Sequence, residues 1–153
     1  MPRFLKSSHI AAPIEKVWAF HEAPDALEKL NPPGQGIRVL SRSGGIDAGA
    51  RLIIEVPVLG PFKMQWHALH TVCEPPRRFV DVQEKGPFAY WRHEHRLEPE
   101  PGGTRLTDDI EFRVFGGPLG QFFAAPFVRW QLNNMFEYRH RVTKNTCESR
   151  ENS

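Results

Sequence analysis

The sequence predicts an α+β domain in which a curved antiparallel sheet of about seven strands wraps one long C-terminal helix, with two short helices after the first strand. Three observations predict it. Short β-prone runs separated by turn residues extend from Ile37 to about Val114. After Gly116-Gly117-Pro118 the apolar period changes, and Val128, Leu132, Met135, Phe136, Arg139 and Val142 fall on one helical stripe. Ahead of the β-prone region, a short strand precedes two segments with helix start and stop signals.

In chain order, Phe4 to Ile10 is the opening strand. Pro13 suits the first turn of a helix, where its missing N–H is not needed, and Ile14, Val17, Trp18 and then His21 or Glu22 keep helical spacing. Pro24 breaks that helix, Asp25 caps a second from Ala26 to Leu30, and Asn31-Pro32-Pro33-Gly34 stops it. Strands are expected near 37–42, 50–57, 63–73, 78–85, 88–98 and 104–114, divided by Gly44-Gly45, Leu59-Gly60-Pro61, Glu74-Pro75-Pro76, Gly86-Pro87 and the run from Pro99 to Gly103. The last helix is expected over roughly 120–143, with Pro126 kinking its start or marking a second entry. The polar residues from Thr143 onward read as a fraying end, which gives one domain over 1–145 and a tail at 146–153.

A chain of 153 residues, 40% hydrophobic and 25% charged, is long enough to bury a core without metals or disulfides. Its 20 basic and 18 acidic residues are interleaved and leave a net charge of +2, which argues against a nucleic-acid partner. Arg77-Arg78 and Tyr138-Arg139-His140-Arg141 are too short to track phosphates. No segment approaches the roughly 20 apolar residues of a membrane span and no signal-peptide pattern opens the chain, so a cytoplasmic location is expected. Cys73 and Cys147 read as free thiols. No nucleophile elbow, phosphate loop, nucleotide fingerprint or metalloprotease helix occurs.

The stretch from Gly86 to Leu97 carries the most chemistry. A strand's period of two puts Trp91, His93, His95 and Leu97 on one face and Arg92, Glu94 and Arg96 on the other, which is expected to meet water. In the next strand Leu106, Asp108, Ile110, Phe112 and Val114 oppose Arg105, Thr107, Asp109, Glu111 and Arg113. A turn at Pro99 to Gly103 sets His95 against Asp108 and Trp91 against Phe112; a shift of two residues sets His93 against Asp108 instead. Either register puts one carboxylate beside an imidazole on an otherwise apolar inward face, where a lone charge is very costly. Four readings stay open: a structural pair, a polar anchor for a ligand, acid–base catalysis, and a metal site. The last is weak, because His-x-His supplies two ligands and His67 and His70 lie on opposite faces of their strand; no metal and no cofactor are expected.

Arg139 sits on the apolar stripe of the last helix. Its stem packs while the guanidinium reaches solvent or an acid, or else it points inward as an anion anchor or a partner for Asp108. Glu55, Trp66 and Asp81 are further wall candidates whose facing the sequence does not fix.

Several motifs resemble a known superfamily. Ala11-Ala12-Pro13-Ile14-Glu15-Lys16-Val17-Trp18 is similar to the opening of SRPBCC proteins, the helix-grip superfamily of START lipid-transfer domains, polyketide cyclases and the birch-pollen allergen. Gly86-Pro87-Phe88 with Trp91, His93 and His95, Gly103-Thr104-Arg105-Leu106-Thr107-Asp108, Gly117-Pro118-Leu119-Gly120 and Met135-Phe136-Glu137-Tyr138-Arg139 resemble a bacterial subgroup that also occurs fused to epimerase-like, cell-division-inhibitor-like proteins. The similarity runs from about Phe4 to Val142; Phe115-Gly116-Gly117-Pro118 departs from it, the subgroup often placing a proline directly after the strand. The resemblance implies a helix-grip fold with a hydrophobic cavity, without transferring one activity.

The leading functional reading is therefore a binding protein for a lipid-, polyketide- or aromatic-like molecule. Its expected ligand-binding residues are Trp91, His93, His95, Asp108, Ile110, Phe112, Met135 and Arg139. Two alternatives stand beside it: a cyclase or dehydratase using His93, His95 and Asp108 as acid–base groups, and a protein-interaction module with a filled interior and an exposed apolar patch. Ligand identity and the oligomeric state, monomer or homodimer, are not legible in the sequence.

Overall fold

A computed structural model describes residues 2–149. The elements in order are β1 (Arg3–Ile10), α1 (Ile14–Glu22), α2 (Ala26–Leu30), β2 (Arg38–Ser43), β3 (Arg51–Leu59), β4 (Phe62–Glu74), β5 (Arg78–Lys85), β6 (Tyr90–Glu100), β7 (Gly103–Arg113) and α3 (Gly117–Cys147). The strands form one seven-stranded sheet in the order β1-β7-β6-β5-β4-β3-β2, antiparallel throughout. This is the α+β architecture that the alternation of turns and β-prone runs implies.

Consecutive hairpins build β2 to β7, and β1 closes the order by pairing with β7 from Arg3↔Glu111 to Ile10↔Thr104. That last pairing needs a close approach at Gly103, where a Cβ would lie 2.0 Å from the Ile10 carbonyl oxygen. Only glycine fits there. At the other end of β7, Gly116 turns the chain into α3 with φ +101°, a left-handed conformation that other residues rarely adopt.

One face of the sheet carries two apolar clusters. Ile10, Val17, Trp18, Phe79, Leu97, Leu106 and Cys147 lock α1 and the end of α3 against the sheet. Phe4, Trp91, Ile110, Phe112, Val128, Leu132 and Phe136 hold the middle of α3 over β1, β6 and β7. The buried residues of α3 are Val128, Leu132, Phe136, His140, Thr143 and Cys147, so the seam drifts from the predicted stripe and takes in His140 rather than Arg139 and Val142.

Three expectations change. Pro126 makes no second entry, because α3 runs unbroken from Gly117 to Cys147 with Pro118 in its first turn. The polar end does not fray at Thr143 or at 146: Thr143 and Cys147 are buried, Ala11 N–H donates to the Glu148 carboxylate at 2.9 Å, and Lys16 Nζ reaches the Ser149 carbonyl at 3.2 Å. Residues 150–153 of the expected tail lie outside the described residues. The charged outer face of β6 and β7 is not simply wetted either. Arg3 binds Asp109 through two hydrogen bonds of 2.7 and 2.5 Å, Arg78 and Arg96 hold Glu94 at 2.7 and 3.0 Å, and Glu94 and Asp109 are buried beneath these arginines.

The two thiols sit in different surroundings. Cys73 is half-buried, whereas Cys147 lies in the core and burial pushes its thiol up to about 11. In the native protein at mildly alkaline pH a thiol reagent is expected to modify Cys73 first and to reach Cys147 only on addition of denaturant. Two equivalents reacting at one rate without denaturant would contradict the burial of the end of α3.

Candidate functional site

The register of β6 and β7 is His95↔Asp108, His93↔Ile110 and Trp91↔Phe112, and β5 pairs Asp81 with His93 and Phe79 with His95. Strand parity then places Asp81, His93, His95 and Asp108 on one face, beneath α3. His93 and His95 stack with ring centroids 3.7 Å apart, and Phe79 covers the other side of His95 at 3.9 Å.

Asp108 is the hub. Its Oδ1 accepts from His93 Nε2 at 2.7 Å and lies 3.2 Å from His95 Nδ1, while its Oδ2 accepts from His140 Nε2 at 2.6 Å. His95 Nε2 donates to Asp81 Oδ2 at 3.0 Å. An ionised carboxylate accepts only, so His140 carries a proton on Nε2, and its Nδ1 makes a hydrogen bond of 2.7 Å with the Ser8 hydroxyl. Either register expected from the sequence brought one imidazole to Asp108; the structure brings both from β6 and adds a third from α3.

The charges follow from this geometry. Burial pushes the Asp108 carboxyl up, but the hydrogen bonds from His140, His93 and His95 outweigh it and hold the group well below the ordinary carboxylate range. Burial likewise works against Asp81, yet the bond from His95 and the charges of the histidines bring it down to about 2. Burial opposes charge on His95, but its two carboxylate partners raise it above the ordinary imidazole value. His93 is lowered, by burial and then by the neighbouring His95. Of the stacked pair, His95, set between two carboxylates, is therefore the more basic imidazole.

Beside this network lies a recess of about 10 Å³, room for roughly one water molecule. His21, His95, Asp108, Phe136, Arg139 and His140 help to line it. Arg139 reaches inward rather than to solvent. Its Nη2 donates to Asn31 at the end of α2 at 2.9 Å and its guanidinium lies 5.0 Å from the Phe136 ring, but its Nε is buried without a hydrogen-bond partner. Burial lowers its pKa against the pull of Asp108 and Asp81. His21 is also held neutral, lowered to about 4 by burial despite its bond to the Val17 carbonyl.

Of the residues expected to line a cavity, His95, Asp108 and Arg139 meet at the recess. Trp91, Ile110, Phe112 and Met135 pack instead in the apolar cluster under α3, and His93 is closed in between Phe136 and His95. Trp66 joins Trp91 edge to face at 4.9 Å, filling the space that a lined cavity would need. Glu55 faces away, within 4 Å of Arg38 and Lys63. Sequence reasoning missed His21, His140 and Ser8; the signal for His140 was its place in the series Leu132, Phe136, His140, spaced by four residues.

A metal ion could bridge Asp81, His93 and His95, whose ligand atoms lie within 4.8 Å of one another. All three are already joined to each other or to Asp108, and three ligands fall short of a closed four-coordinate site.

Residues 10–137 match the polyketide cyclase / dehydrase and lipid transport family. The chain belongs to that family. Among solved structures, a nucleoside-diphosphate sugar epimerase from Corynebacterium glutamicum is similar over 93% of this chain at 26% identity and a TM-score of 0.72, and the chain spans 28% of that protein's length. A protein from Thermus thermophilus is similar over 94% of this chain and 95% of its own at 19% identity and a TM-score of 0.72. The di-domain ARO/CYC StfQ of the steffimycin biosynthetic pathway is similar over 99% of this chain and 52% of its own at 12% identity and a TM-score of 0.77. The last two show the fold alone, a helix-grip-like arrangement. No curated protein sequence matches the chain.

Removing the Asp108 charge leaves three imidazoles without their acceptor. Asp108→Asn is expected to cost about 3–5 kcal/mol by denaturant titration, against about 0–1 kcal/mol for Asp25→Asn, whose partner Lys29 is exposed on the surface. Equal costs would remove Asp108 from its central place. Asp109, covered by Arg3, is no neutral control.

The pH dependence has a definite sign. His21, lowered to about 4, stabilises the fold above the ordinary imidazole value, and that contribution is lost as pH falls through about 4. His95, raised, contributes in full below the ordinary imidazole value and loses its share as pH rises through its folded value. Asp81 and Asp108 contribute above the ordinary carboxylate value and lose their share as pH falls through theirs. Urea midpoints should therefore begin to fall below about pH 6.5, ahead of carboxylate protonation, and His21→Gln should flatten that limb. A limb unchanged in His21→Gln counts against a neutral buried His21.

Proposed function

We propose that the protein binds a small, mainly apolar molecule bearing one anionic or strongly hydrogen-bond-accepting head group, held at the recess between α3 and the sheet. One observation carries this reading: the Nε of Arg139 is buried beside the recess with no hydrogen-bond partner. A buried unpaired donor on a cation is costly, and an oxygen anion entering the recess relieves that cost. His95, raised by its two carboxylate partners, lies at the same place, with both ring nitrogens directed to those carboxylates. Phe136 and Leu106 supply apolar wall.

A recess with room for about one water takes at most one oxygen of a head group, so binding of the molecule needs α3 to move outward. Pro126 interrupts the backbone hydrogen bonding of α3 ahead of its buried seam, which makes the first turns of the helix the part that yields. Membership of a family described by polyketide cyclisation and lipid transport supports an apolar ligand. The narrower kinship, with domains fused to epimerase-like proteins, is supported by the identity shared with the Corynebacterium protein. The acid–base alternative keeps His95 as its candidate at the recess, and the interaction alternative is favoured by the small recess together with the exposed apolar residues of α3.

The test uses cis-parinaric acid and its methyl ester, which differ only in the head-group charge. Wild type is expected to bind the acid about tenfold or more tightly than the ester, and Arg139→Met to bind both alike. Equal binding of acid and ester by wild type would overturn the reading.

A further inference from the structure

The N-terminal half of α3 is apolar on two opposite sides. Val128 and Leu132 face the sheet, as a helix of this fold requires. On the other side, Leu119, Phe122, Phe123, Phe127 and Trp130 recur at intervals of three and four residues and are 59–75% exposed. Phe115, just before the helix, is exposed with them. Aromatic side chains carry roughly 150–250 Å² each, so the uncovered stripe amounts to about 800 Å², more than the largest apolar patch of an ordinary monomer. A helix apolar all round is normally buried.

The sheet extends the same surface. β3 ends and β4 begins at the turn Gly60-Pro61, β5 and β6 meet at Gly86-Pro87, and β7 runs into α3, so these three connections lie at one end of the sheet. At the first of them Val58, Phe62 and Met64 are exposed as well.

Charge selects the occupant. From Phe112 to Phe136 the sequence contains Arg113 and Arg129 and not one acidic residue. Between Val56 and Gln65 the single charge is Lys63, 3.7 Å from Glu55, and Lys85 stands at the second turn after Glu84, which Arg51 holds. Arg129 flanks the aromatic stripe, where a long basic side chain keeps its charge at the boundary while its neighbours enter an apolar phase. Pairing this face with a second copy brings like charges together, whereas a surface of anionic head groups over hydrocarbon matches both the rings and the arginines.

We propose that this end of the molecule docks on anionic lipid bilayers, with the face of α3 from Leu119 to Trp130 lying in the head-group layer. The helix lies on the membrane and does not cross it; no helix among the described residues is long and apolar enough to span. This inference is independent of what the recess binds, since neither Arg139 nor Asp108 belongs to the face.

Flotation of the full chain with vesicles tests it, using phosphatidylcholine alone and phosphatidylcholine mixed in equal parts with phosphatidylglycerol. Trp130 is exposed while Trp18 and Trp91 are buried, so a blue shift of tryptophan emission on adding vesicles gives a second readout. The mixed vesicles should float the protein, and raised salt should weaken but not abolish this. Phe122→Ser/Trp130→Ser should lower partitioning by about tenfold or more, with the circular dichroism unchanged. Leu5→Ser, an exposed apolar residue on β1, should stay within about twofold of wild type. Failure to float with either vesicle overturns the proposal. So does a dimer in sedimentation that Phe122→Ser/Trp130→Ser converts to monomer, because a second copy then covers the face. Parinaric acid binding that persists in either case leaves the recess reading intact.

Discussion

The arrangement of this domain depends on one carboxylate. Asp108 projects from the middle of β7 and gathers the two stacked imidazoles of β6 and the imidazole of α3. An isolated carboxylate in that position is prohibitive, so each donor is present because the charge is, and the charge is tolerated because the donors are. The same bonds place a proton on Nε2 of His140 and so direct its other nitrogen to Ser8 of β1. Three strands and a helix are thus held in register by a polar interaction amid apolar packing, which needs specific directions where hydrophobic contact needs only proximity.

The recess belongs to this network rather than to the aromatic core. Its polar lining combines the raised imidazole of His95 and the guanidinium of Arg139 with the carboxylate of Asp108, and Asp81 stands behind His95. Phe79 stacks on the His95 ring, an arrangement that favours positive charge on that imidazole. The preference proposed above for a charged head group rests on these fixed side chains rather than on water.

Much of this was legible because β6 and β7 are regular. With a period of two and a turn between Pro99 and Gly103, parity alone put His93, His95 and Asp108 on one face and left two registers, of which the strands adopt His95↔Asp108. Asp81 was beyond that count, because the turn at Gly86-Pro87 leaves the β5–β6 register open in the sequence, although the two strands pair regularly in the structure. His140 was hidden because a seam advancing by four residues drifts around a helix of 3.6 residues per turn, and the predicted stripe had already moved to Arg139. Nor does a face assignment report volume. Trp91 and Phe112 were legible as apolar wall, but only packing shows that these rings meet Trp66 and Phe88 and leave little space. The outer face held a similar surprise, since the arginine that covers Asp109 comes from β1, about a hundred residues away in sequence.

The attachment of α3 is uneven along its length. Its last turns are fastened by the thiol of Cys147 in the core, by Thr143, and by the bond from His140 to Asp108, while its first turns expose most of their large side chains. Mechanically it is a beam clamped beyond Phe136, packed at Val128 and Leu132, and joined to β7 at its start, where Val114 N–H donates to Gln121 Oε1 at 2.9 Å. Bending such a beam would displace the part far from the clamp most, so an outward shift of its first turns would leave the hydrogen bonds at Asp108 the least disturbed.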